Sequence, residues 1–130
     1  MTITMNLEIE QGISFDDICR TLSSMNTDYQ IEEKHLTGNF ISSNAYFVFR
    51  HIIPYEEIVA ENVIADWKVG MRGAFHSPID TLSESSEDIK IFLSELVKQT
   101  QFKFILSFQF EEVYALRDNN GIRFLKNMID

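Results

Sequence analysis

Between residues 86 and 110 the apolar pattern changes its period, and that change constrains the fold more than any other feature. Ile89, Phe92, Leu93, Leu96 and Val97 recur at i, i+3, i+4, i+7 and i+8. This spacing predicts one buried face of a helix running from Ser86 to Thr100. Ser85 or Ser86 is placed to cap it, Glu87 and Asp88 fall in its first turn, and Lys98 lies near its end. Phe102, Phe104, Leu106, Phe108 and Phe110 then alternate with Lys103, Ile105, Ser107, Gln109 and Glu111, the pattern of a half-buried strand. A chain that switches so abruptly from one period to the other lays a helix on a sheet.

The rest of the chain repeats this logic. Ile3, Met5, Leu7 and Ile9 alternate with Thr4, Asn6, Glu8 and Glu10, which predicts a strand with its acidic side in water. Ser14 and Asp17 form a capping-box pattern ahead of Phe15, Ile18, Cys19, Leu22 and Met25, which predicts a helix from Ser14 to Met25. Strands are predicted from Tyr29 to Leu36 and from Phe40 to Ile52, separated by a turn at Thr37-Gly38-Asn39. Pro54 suits the first position of one or two helical turns. Val63 to Met71 reads as a strand bent at Gly70 and Gly73, ending at His76-Ser77-Pro78. Val113 to Arg117 continues the strand that starts at Phe102, and Asp118-Asn119-Asn120-Gly121 turns it into a return from Ile122 to Lys126.

The expected architecture is therefore a single α+β domain over residues 1–130. Its order is β-α-β-β-β-α-β-β, a mainly antiparallel sheet with two principal helices on one face. Its eleven Phe supply a well-filled core, and only two Pro and five Gly leave little room for a linker.

Twenty acidic residues against eleven Lys and Arg give a net charge of −9. That balance disfavours nucleic acid and anionic membrane and favours a basic protein partner. The single cysteine, Cys19, excludes an internal disulfide, and the opening residues lack the basic and apolar regions of a signal peptide. The expected address is the cytoplasm, as a monomer or homodimer.

No catalytic or metal site is expected, and no cofactor. His35, His51 and His76 form no close pair with one another or with Cys19, and Cys19 lies on the apolar face of its helix. No phosphate-binding glycine motif or nucleophile elbow occurs, and Gly70-Met71-Arg72-Gly73 lies inside a strand pattern. Two acidic zones are the candidate partner-binding residues: Tyr55, Glu56, Glu57, Glu61 and Asp66, and then Asp80, Glu84, Glu87 and Asp88.

In length, acidity, α+β pattern and its closing hairpin from Val113 to Ile122, the chain resembles the immunity proteins of bacterial contact-dependent growth inhibition and related polymorphic toxin systems. The resemblance is one of overall character and carries over no residue roles. It implies an inhibitor that neutralises a cognate toxin, such as a nuclease, by filling its basic site with an acidic surface. Another reading is a small enzyme or ligand-binding domain with a pocket between sheet and helices, drawing on His51, Asp66, Trp67, Arg72 and His76. A third is a homo-oligomer joined through the polar side of the sheet.

Overall fold

The computed structural model describes residues 2–129. The elements in order are β1 (Thr2–Glu10), α1 (Phe15–Ser24), β2 (Gln30–Glu32), β3 (His35–Asn39), β4 (Tyr46–Glu56), β5 (Val69–Pro78), α2 (Leu82–Gln99), β6 (Phe104–Phe108), β7 (Glu112–Asp118) and β8 (Gly121–Phe124). The fold is α+β with the expected order of helices and strand segments. Two of those segments fold back on themselves, Tyr29–Leu36 as β2 and β3 and Phe102–Arg117 as β6 and β7, so the strands among the described residues number eight.

All eight join one sheet in the order β2-β3-β4-β5-β1-β6-β7-β8, and every neighbouring pair is antiparallel. Both helices pack on one face. Ile18 and Leu22 of α1 and Ile89, Phe92, Leu93 and Leu96 of α2 meet Met5, Leu7, Ile9, Phe47, Phe49, Met71, Phe75, Phe104 and Leu106 in one buried cluster. Cys19 packs at its margin, half-buried. No helix among the described residues is long and apolar enough to cross a membrane.

Ser14 caps α1 as its pattern predicts: its hydroxyl accepts from the Asp17 amide at 3.3 Å, and its own amide donates to the Asp17 carboxylate at 2.9 Å. At the closing hairpin Gly121 takes φ 109°, a conformation that favours glycine. The Asn120 amide donates to the Asp118 carboxylate at 2.8 Å. This bond, helped by the Arg123 charge, holds the Asp118 carboxyl below its usual pKa. The folded state thus favours the charged form, so the stabilisation is present at neutral pH and is lost as acid titrates Asp118 through its folded pKa. Asp118→Ala should make stability fall less steeply on acidification, as read by denaturant melts across the acid range.

Several boundaries differ from the pattern, where tertiary contacts override it. The strand expected from Phe40 to Ile52 begins at Tyr46 and runs to Glu56, with residues 40–45 forming the connection from β3. Helix α2 begins at Leu82, after a 3-10 turn at Ile79–Thr81. Ser85 and Ser86 are therefore buried inside it rather than capping it, and the Ser77 hydroxyl meets that of Ser85 at 2.5 Å. Pro54 opens no helix and lies within β4, after a cis peptide bond. Gly38 lies inside β3 rather than in a turn. Val63 to Lys68 is not strand: β5 starts at Val69 and continues through His76 to Pro78.

The bend expected at Gly70 is present, because the β1–β5 register shifts between Ile9 and Glu10. A Cβ at Gly70 would lie 2.6 Å from the Gln11 Cα. Backbone cannot yield there cheaply, so Gly70→Ala should cost about 1–3 kcal/mol in denaturant unfolding.

Candidate functional site

The alternation of β1 that turns Leu7 and Ile9 toward the helices turns Glu8 toward the opposite face. In the sheet Glu8 stands between Arg72 of β5 and Ile105 of β6. An acidic strand face of this kind is ordinarily wet. Here the chain between β4 and β5, residues 57–68, crosses over it as a strap. Ile58, Ala60, Val63 and Trp67 of the strap pack on Ile52, Val69, Ile105, Val113 and Leu116, forming a second, smaller core.

Glu8 is completely buried beneath this strap. Its carboxylate accepts from the backbone amides of Val59 at 2.9 Å and Ala60 at 3.0 Å. It also accepts from Arg72, through Nε at 3.2 Å and Nη2 at 3.1 Å. Arg72 in turn donates to the Glu56 carboxylate, and at 3.1 Å to the Glu57 carbonyl. A buried charge is tolerated only when paired and fully hydrogen-bonded, and this one meets both conditions. The far end of the strap is tied by Gln11, whose amide donates to the Lys68 carbonyl at 2.8 Å and whose side chain accepts from the Lys68 amide at 3.1 Å.

The first acidic zone lies on and around this strap. Glu56 pairs with Arg72, Glu57 with Lys68 at 3.7 Å, and Asp66 with Lys103 at 3.3 Å. Glu61 is exposed and held through its backbone amide by the Phe110 carbonyl at 2.8 Å. Much of the local charge is therefore balanced. What the zone displays instead is apolar: Tyr55 and Val59 are each 51% exposed and Ile64 is 102% exposed. Beside the strap a groove of about 230 Å³ opens, with Trp67, Ile105, Val113 and Leu116 among its walls and the Arg123–Asp118 ion pair at its edge.

The second zone divides. Asp80, Glu84 and Glu87 are exposed around the start of α2. Asp88 is buried, and its carboxylate accepts from the Ser43 amide at 3.1 Å, tying the β3–β4 connection to the helix. Asp88 is thus a structural anchor rather than displayed surface.

The residues of the enzyme reading stand apart. His51 lies against Phe15 with ring centroids 4.5 Å apart and ring planes tilted by 40°, His76 shares a hydrogen bond of 2.9 Å with Thr4, and Trp67, Arg72 and Asp66 belong to the strap region. The space between sheet and helices, where their pocket would lie, is filled by the main core.

Glu8 is the residue that strand alternation assigns to water. One signal pointed to its burial: Ile105, apolar on the otherwise polar side of its strand, needs cover on that face. Comparison of the chain with family models, with curated proteins and with solved structures finds no match in any of the three.

Proposed function

We propose that this protein is an immunity-type inhibitor that binds a cognate protein toxin in the cytoplasm through the strap. One observation carries the reading: a buried, four-bonded carboxylate clamps a segment that shows Tyr55, Val59 and Ile64 to solvent. Folding alone gains little from fixing exposed apolar side chains. A partner gains much, because a preorganised surface loses less entropy on binding. Large apolar side chains ringed by polar groups are the usual anchors of protein interfaces. In this reading Glu57, Glu61, Asp80, Glu84 and Glu87 steer a basic partner, while the apolar side chains supply most of the affinity.

The test is co-expression with any toxin domain that a neighbouring gene encodes. The wild-type chain should restore growth. Tyr55→Ala with Ile64→Ala should weaken binding at least tenfold, about 1.4 kcal/mol or more, mainly through faster dissociation. Glu84→Lys with Glu87→Lys should slow association and reduce its dependence on salt. Glu111→Lys with Glu112→Lys is the control for added charge. If the strap variant protects and binds like wild type, the strap is not the interface.

A further inference from the structure

The strap covers only part of its face of the sheet. It lies over Glu8 and Ile105 and packs on Ile52 near the end of β4. Toward the other edge the same face of β2, β3 and β4 is open. The register sets Glu32, His35 and Arg50 side by side across these three strands. The next row holds Gln30, Thr37 and Val48, and the row beyond it Asn39 and Tyr46. Neither of those rows carries an acid, a Lys or an Arg, so a chain of net charge −9 keeps like charge off this stretch of sheet.

A concavity of about 450 Å³ opens here. Thr37 and His35 of β3 lie along its floor, with Tyr46 and Val48 of β4 on one side and Glu32 and Glu33 of the β2–β3 hairpin on the other. Arg50 continues the β4 side, because alternate residues of a strand share a face. The two sides thus carry opposite charge, yet they do not meet within one chain. Arg50 and Glu32 stand two strands apart, about 10 Å. Among the described residues, Arg50, Glu32 and Glu33 make no ion pair and no side-chain hydrogen bond. Arg50 instead has Arg72 as its direct neighbour across β4 and β5, and Glu8 and Glu56 already pair with Arg72. Like charges set opposite one another destabilise a sheet unless something offsets them.

We propose that this surface pairs two copies of the chain about a two-fold axis running along the strands between β3 and β4. Such an axis lays β4 of each copy over β3 of the other. The ridge of Tyr46, Val48 and Arg50 then enters the trough over β3 of the second copy, and Arg50 arrives beside Glu32 and Glu33 of that copy. The same contact forms twice, as a two-fold interface requires. Charge selects the occupant. A basic partner would be repelled by Arg50 and an acidic one by Glu32 and Glu33, whereas a second copy turned about this axis matches both. Sheets packed face to face lie about 10 Å apart, a gap that an Arg and a Glu side chain span together. Four strands spaced by about 4.8 Å, each contributing about six residues, give a footprint of roughly 400 Å² on each copy. That is a small interface, so the pair exchanges readily with monomer. The strap lies outside it.

The experiment is sedimentation equilibrium at low salt, with chain concentrations from about 10 µM to about 1 mM, the range in which so small an interface associates. The wild type should pass from monomer to dimer across this range, and added salt should shift it back toward monomer. Arg50→Glu and Glu32→Arg should each stay monomeric, because each sets like charges against one another across the axis. Mixed together, the two single variants should form a heterodimer, and Arg50→Glu with Glu32→Arg in one chain should restore the homodimer. Lys98→Glu makes the same change in net charge on α2 and should dimerise like the wild type. Arg50 and Glu32 are exposed and bonded to no other side chain, so melts of the variants should overlay those of the wild type. A wild type that stays monomeric throughout, an Arg50→Glu chain that dimerises as well as Lys98→Glu, or a charge swap that restores nothing each overturns the assignment. Tyr55→Ala with Ile64→Ala should dimerise like the wild type, and failure of that variant to do so would move the contact to the strap.

Discussion

Glu8→Ala is expected to lose about 3–5 kcal/mol of folding stability at neutral pH, an unusual cost for an acidic residue on a strand. The substitution leaves Arg72, whose side chain is only 11% exposed, with Glu56 as its remaining carboxylate partner. It also deprives the Val59 and Ala60 amides of their acceptor. Each buried group left unsatisfied costs about 1–3 kcal/mol. The strap should lift, and Trp67 reports this directly. It is the only tryptophan of the chain, belongs to the strap itself, and is 8% exposed where it packs into the second core. Its emission should shift to the red before the main unfolding transition in a urea titration. Glu8→Leu with Arg72→Leu should cost less than the sum of the two single changes, with a coupling of about 0.5–3 kcal/mol in the double-mutant cycle. A loss below about 1 kcal/mol for Glu8→Ala would show that the clamp does not hold the strap.

Phe92→Ala should cost about 3–5 kcal/mol in the same measurement, by a different route. Phe92 is 0% exposed, and its ring centroid lies 5.6 Å from those of both Phe49 and Phe75 and 6.3 Å from that of Phe40. Removing it opens a cavity bounded by the helix and two central strands, and neighbouring aromatic rings are too rigid to fill it. Trp67 lies in the second core. Its emission should therefore change only with global unfolding, which separates this variant from Glu8→Ala. Phe124→Ala, at a position 44% exposed on the terminal strand, should cost about 0.5 kcal/mol or less. A similar loss at both positions would place the core elsewhere.

The face between sheet and helices was legible because one-sided burial writes a period into the chain. Phe104 and Leu106 on their strand, and Phe92 and Leu96 on their helix, are apolar at the spacing their elements require. The strap was not legible, for a physical reason. It is irregular backbone, so Ile58, Ala60, Val63 and Trp67 reach their core at no fixed interval. Their odd-numbered members imitated the alternation of a strand, which is why Val63 and Trp67 were read into β5. Glu8 was hidden for a related reason: periodicity reports which face a residue is on but not what the chain later lays across that face. The acidic residues around the strap and α2 were visible as charges. Their division into paired Glu56, Glu57 and Asp66, exposed Glu61, Asp80, Glu84 and Glu87, and buried Asp88 depends on contacts far apart in sequence.

The position of β1 in the sheet also governs how the chain can be assembled as it is made. Strand β1, made before every other strand of this sheet, lies in the middle, flanked by β5 and β6. Its partners range from Pro78 back to Val69 on one side and from Phe108 back to Phe104 on the other. The run β2 to β5 can form from neighbouring hairpins while translation continues, whereas β1 has an open hydrogen-bonding edge until residue 108 has left the ribosome. Long-range closures of this kind are entropically expensive and slow. A ribosome-bound intermediate would therefore carry an unpaired strand edge along Met5 to Ile9 until β6 emerges, making this stretch the natural point of capture for a chaperone.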